Sequence, residues 1–151
     1  MKSLMFVIFG MLMASAFAQN FRIASNLAAS YEPGASGTVS ISVQLLNPDL
    51  DFSQAVVFLN IVEIDERRTY PQVMHQLFSA ADAAPDIFKT VYSKEQLLNG
   101  VSTNLVFFLR DNAKPGSYSM AIQVFSGNNT DPNRVRVQDR LGIQNFGFSI
   151  D

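Results

Sequence analysis

The chain has no cysteine, no tryptophan and a single histidine, His75. Without thiols there is no disulfide scaffold, no thiolate nucleophile and no thiolate metal site, so the fold has to be held by packing alone. With one histidine, neither a histidine pair nor a Ser-His-Asp set exists except around His75. A general base needs an orienting carboxylate and a nucleophile beside it; no recognised motif supplies them, and no Gly-x-Ser-x-Gly elbow occurs. His75 is therefore read as a structural or surface residue. Met74 next to it makes a thioether–imidazole pair that suits copper, but two adjacent ligands do not make a site. The expectation is a protein that is not an enzyme and uses no cofactor.

Two further shortages narrow the partners. No basic stripe stands ready for a phosphate backbone or an anionic membrane, so nucleic acid is not expected. Past the first residues, no stretch approaches the roughly 18 apolar residues that a membrane helix needs. The one apolar run, Leu4 to Met13, follows Lys2 and precedes Ala16-Phe17-Ala18, the small-x-small pattern cut by a signal peptidase. Residues 1–18 read as a cleaved secretory signal and 19–151 as a single β-sandwich domain. Removing the leader takes away one of 11 basic residues and leaves ten against 13 acidic ones, a net charge of −3. The expected location is secreted and extracellular, or periplasmic in a bacterial source.

What the chain does have is alternation. Val39, Ile41, Val43 and Leu45 alternate with Ser40, Ser42 and Gln44, and the same period of two runs through Val101–Leu109 and Tyr118–Val124. Period two gives one buried and one wet face, the mark of a strand in an antiparallel sheet. Ala55–Ile64 is apolar on both faces, as a central strand covered on both sides would be. Phe21–Leu27 and Val135–Ile150 complete the set, the latter interrupted at Gly142 or Gly147. Turn formers separate these runs: Glu32-Pro33-Gly34, Asn47-Pro48-Asp49, Lys114-Pro115-Gly116 and Gly127 through Asn133. Between Thr69 and Gly100 the pattern changes. Val73, Met74, Leu77 and Phe78 fall at helical spacing behind Pro71, and Ser93-Lys94-Glu95-Gln96 reads as a capping box stopped by Asn99-Gly100. One or two short helical turns are expected there, with a β segment near Ile87–Tyr92.

Asp111-Asn112-Ala113-Lys114-Pro115-Gly116-Ser117-Tyr118, followed by the alternating Ser119–Phe125, resembles the corner before the penultimate strand of immunoglobulin-like sandwiches, including macroglobulin-like and bacterial surface modules. The stretch from Tyr31-Glu32-Pro33-Gly34 to Asn47 is similar to their second strand. The resemblance covers about half of the mature chain and departs from antibody domains in having no cysteine pair and no tryptophan. It implies an all-β, Ig-like antiparallel sandwich of seven to nine strands with a short helical insertion, in which Tyr118 turns its hydroxyl back to the chain upstream. It carries no function by itself.

Four surface features bear on function. In such a sandwich Asp49, Asp51 and Asp131 lie at one end, where they read either as Ca2+ ligands or as ordinary turn formers. Asn128-Asn129-Thr130 is an N-glycosylation sequon with Asn128 as acceptor. A strand with Arg134, Arg136, Gln138 and Arg140 on one face and Val135 and Val137 on the other would present a basic ladder to an acidic glycan, or the solvated face of an edge. Phe107-Phe108 and Phe146-Gly147-Phe148 put aromatics on both faces, to be covered by a second sheet, a ligand or self-association. The leading expectation is a non-enzymatic secreted binding or structural module that recognises an extracellular protein or glycan through loops or a sheet face. The alternative is a small carrier of a hydrophobic ligand held between its sheets.

Overall fold

In a computed structural model, residues 19–64, 73, 76–78 and 90–151 are described. Eight strands occur among them: β1 (Phe21–Ser25), β2 (Ser30–Tyr31), β3 (Ser36–Leu45), β4 (Gln54–Glu63), β5 (Val91–Ser93), β6 (Val101–Phe108), β7 (Gly116–Ser126) and β8 (Arg140–Ile150). One short helix, α1 (Lys94–Asn99), joins β5 to β6. The strands form a three-stranded sheet in the order β1-β3-β6 and a five-stranded sheet in the order β2-β8-β7-β4-β5. Every pairing is antiparallel except β2 with β8, which is parallel. The described residues are thus mostly β, arranged in two sheets with little helix. No helix among the described residues is long and apolar enough to cross a membrane.

Alternation decides which side chains fill the core. Val39, Ile41, Val43 and Leu45 of β3 and Tyr118, Met120, Ile122 and Val124 of β7 join one buried cluster with Phe21, Leu97, Leu105 and Phe148. Strand β4, apolar on both faces, feeds two clusters. Ala55, Val57, Leu59 and Ile61 point into the main core, while Val56 and Phe58 meet Phe125 on the opposite face of the sheet, with half-buried Val91 and Val135 against them. Phe148 is buried and Phe107 and Phe146 pack onto the main core, so of these aromatics Phe108 is the exposed one.

The first strand differs from expectation. The chain leaves the three-stranded sheet after Ser25 and joins the other at Ser30. Local side chains compete with the ladder there: the Leu27 N–H donates to Ser25 Oγ (3.1 Å), and Asn26 Oδ1 accepts from the Ser40 N–H (2.6 Å). The last strand differs too. Residues 137–139 form a 3-10 turn, and β8 then runs from Arg140 to Ile150, its pairing with β7 slipping register beside Gly142, where Val124 faces Gly142 and Phe125 faces Arg140. Gly142 serves a close approach, since a Cβ there would sit 2.9 Å from the Phe21 ring.

Helix α1 starts on a reciprocal cap. Ser93 Oγ accepts from the Gln96 N–H (3.2 Å), and Gln96 Oε1 accepts from the Ser93 N–H (2.8 Å). It stops at Gly100, whose φ of +85° favours glycine. A six-residue helix has little stability of its own, so Ser93→Ala is expected to lower the unfolding free energy by about 1 kcal/mol; urea unfolding with an unchanged m-value checks this. Upstream, Val73, Gln76 and Leu77 are helical, and Val73 and Leu77 are fully buried. Phe78 bridges Leu109, and Arg110 holds that segment through its N–H to Leu77 O (2.8 Å) and its Nε–H to Phe78 O (2.7 Å). Residues 1–18, Met74 and His75 lie outside the described residues, as do residues 87–89 of the segment expected to be β near Ile87–Tyr92.

Candidate recognition loops

Strand register gathers three connections at one end of the sheets. Gln54 pairs with Ser93 and Ala55 with Ser126, so segment 46–53, helix α1 and segment 127–139 adjoin. Backbone bonds tie them: Gly127 N–H to Gln54 O (2.8 Å) and Lys94 N–H to Ser53 O (3.0 Å). The Lys94 ammonium donates to Leu50 O (2.6 Å) and stands 5.6 Å from the Phe52 ring centroid. Asn20 holds the same end, its carbonyl accepting from the Leu46 N–H (2.8 Å) and its Oδ1 from Asn47 Nδ2 (3.1 Å).

The 127–139 segment is stiffened along its length. Asn129 Oδ1 accepts from the Asp131 N–H (3.0 Å), and Asp131 Oδ1 accepts from the Asn133 N–H (2.9 Å). Asp131 Oδ2 pairs with Arg134 Nε at 3.3 Å. Val135 then turns inward against the Val56–Phe58–Phe125 cluster, anchoring the loop to the sheet. Next in the chain, Arg136 Nε pairs with Oδ2 of Asp139, three residues on, at 3.1 Å, and the Asp139 N–H returns to Arg136 O (2.9 Å). The turn so clamped carries Val137, which is 75% exposed, far more than any other large hydrophobic among the described residues. Leu46, 43% exposed, stands on the neighbouring connection. A loop whose conformation is already fixed loses little entropy when a partner closes on it.

The expected basic ladder is therefore not a strand. Val135 and Val137 point in opposite senses, and Arg134 and Arg136 are paired with aspartates three residues away. The opposite charges at i and i+3 were visible in the sequence; they favour a turn, where such positions meet, over an extended chain, where they do not. Nor are Asp49, Asp51 and Asp131 gathered into a metal site. Among the described residues no three His, Cys, Asp or Glu side chains form a group able to hold an ion. Both carboxylate oxygens of Asp131 are engaged within its own loop, and the Asp49 N–H closes a turn onto Asn47 Oδ1 (3.0 Å). Asn128, the sequon acceptor, is exposed on the 127–139 loop.

Tyr118 lies at the opposite end. Fully buried, it donates its hydroxyl to Lys114 O (2.7 Å) and stacks on Phe148 with ring centroids 5.5 Å apart. Beside it sits a residue the sequence did not single out. Glu63 is 3% exposed, and its Oε1 is 2.8 Å from Lys114 Nζ.

No family model matches the chain, and no curated protein does. Among solved structures it is similar to the PmoD soluble domain from Methylocystis sp. (strain Rockwell), at 10% identity and a TM-score of 0.33, over 87% of this chain and 90% of that one. It is also similar to the alkylpurine DNA glycosylase AlkC of Pseudomonas fluorescens, bound to DNA containing an abasic site analog, at 14% identity and a TM-score of 0.44. That match covers 93% of this chain, which spans 33% of the AlkC chain. At such scores neither likeness carries an argument about fold family or activity.

Proposed function

We propose that this chain is an exported, non-enzymatic binding module of immunoglobulin-like fold that recognises an extracellular protein or glycan through the loops at the Val137 end. The fold reading is supported by strand order. β7 lies between β4 and β8 with the Tyr118 corner at its start, as the penultimate strand of such sandwiches lies between its neighbours, and β1-β3-β6 stands for the opposing sheet. Export rests on the leader at 1–18, cleaved after Ala18, and the exposed Asn128 sequon fits a glycoprotein.

The observation that carries the function is the clamped, exposed Val137. A large apolar side chain held out by an Arg136–Asp139 pair loses contact with water only when something covers it. A few residues at the centre of an interface, ringed by groups that exclude water, contribute most of its binding energy. With Asp in its place, the Val137→Asp variant should keep its unfolding free energy within about 0.5 kcal/mol, as surface changes do. Its partner capture should fall at least tenfold. A photo-cross-linking residue at Val137, in protein returned to its own source fluid, should trap one discrete partner, and the same probe at exposed Ser117 should not. Equal trapping at both positions would remove the reading.

The alternative, a carrier of a hydrophobic ligand, requires apolar space between the sheets. Among the described residues one such space is about 50 Å3. It is too small for a whole lipid, which places the loops first.

A further inference from the structure

Where the first strand changes sheets, the margin between β3 and β8 is closed by side chains instead of backbone. Tyr31 comes back beside β8, its hydroxyl accepting from the Ala28 N–H (2.9 Å) and its ring standing edge-on to Phe107 and Phe148, at 5.2 and 6.1 Å. Behind it is the space of about 50 Å3, with Leu27 and Tyr31 at its outer side and Val39, Leu59, Leu105 and Met120 within. The described residues turn no polar atom toward it. Leu27, Tyr31 and Phe107 are half-buried and form its outer side, whereas Val39, Leu59, Leu105 and Met120 are buried.

From this geometry we infer that the slot is a binding site for a saturated alkyl segment, resting on the carrier reading and narrowing it. A space without polar partners holds water poorly and favours apolar guests, as an engineered cavity of about 150 Å3 takes benzene or xenon. A third of that volume admits xenon or about two or three carbons of an aliphatic chain. Nothing in the slot orients a charged or hydrogen-bonding group, because the Tyr31 hydroxyl is already engaged. The guest is therefore recognised by shape and hydrophobicity alone, whether it is a free short hydrocarbon or the tip of a longer chain.

Xenon is the probe. Methyl-labelled protein, as the full secreted chain, should show saturable shift changes at Val39, Leu59, Leu105 and Met120. The changes should vanish in Leu27→Trp, whose larger side chain fills the slot from its half-buried side, and tighten severalfold in Leu27→Ala, which widens it. Ethane and dodecanoate then separate the sources: shifts of the same methyls by both assign the slot to chain tips as well, by ethane alone to free hydrocarbons. Absence of any saturable change, or equal changes at exposed Val137 and Ile143, overturns the inference. Partner trapping through Val137 is read separately, so failure here leaves the loop reading standing.

Discussion

Replacing Tyr118 with alanine is expected to lower the unfolding free energy by about 3–5 kcal/mol, the range for deleting a fully buried aromatic ring. The ring is completely inaccessible, it stacks on Phe148, and it sits where β4, β7 and β8 pair side by side, opposite Glu63 and Phe148 in the register. No neighbouring backbone can collapse into the space without breaking one of those ladders. Tyr118→Phe separates the ring from its hydroxyl. It removes the 2.7 Å bond to Lys114 O, and because Lys114 is half-exposed, water can take over the carbonyl. That variant should lose about 1 kcal/mol, the net worth of one hydrogen bond. Urea unfolding of both variants decides the matter. A phenylalanine variant as damaged as the alanine one would mean that the hydroxyl, not the packing, holds the corner.

The second large effect belongs to Lys114. Glu63 ends the inward-facing series Ala55, Val57, Leu59 and Ile61, so alternation carries a carboxylate into a position meant for an apolar side chain. It stays there because cationic and polar groups reach it, and Lys114 is one of them, at 2.8 Å. Breaking a buried pair from one side typically costs about 3–5 kcal/mol. Lys114 is 35% exposed, and solvent screening reduces the expected cost of Lys114→Met to about 2 kcal/mol. Glu63→Leu combined with Lys114→Met should recover most of that loss, since a well-packed apolar pair no longer has a charge to solvate. A double-mutant cycle measures the coupling directly. A Lys114→Met protein as stable as the parent would show that Glu63 draws its stabilisation from elsewhere.

The long strands were legible because burial on one face leaves a period of two. Thr38–Leu46, Val101–Leu109 and Tyr118–Val124 became β3, β6 and β7, and the doubly apolar Ala55–Ile64 became β4, flanked on both sides and buried on both faces. The capping box at Ser93 was legible for a different reason: its two hydrogen bonds involve residues three apart and need no tertiary partner. The features that escaped depend on what is distant in sequence. The break after Ser25 becomes visible only once Asn26 is set beside Ser40, 14 residues on. Val135 and Val137 look equivalent by period and separate because one of them packs against the Val56–Phe58–Phe125 cluster and the other is left exposed. Glu63 lies unremarked inside a run read as apolar on both faces, and its burial is decided by the corner 51 residues later that brings Lys114 over it. Asp131 turns its carboxylate to the Asn133 N–H and Arg134 of its own loop, while Asp49 and Asp51 are exposed, and proximity along an end does not aim carboxylates at a common point.

The division of the first strand between the sheets has a mechanical consequence. β1 is antiparallel to β3 and β2 is parallel to β8, and Phe21 and Ile150 lie at opposite ends of the sheets. A tension applied between those two residues therefore pulls along the strand axes in opposite directions. The five β1–β3 pairs, together with the bonds from Ser149 N–H to Ala29 O and from Asp151 N–H to Tyr31 O, are loaded in shear and must rupture collectively; none can be peeled away one at a time. Stretched from its ends, the domain resists as a clamp and not as a zipper.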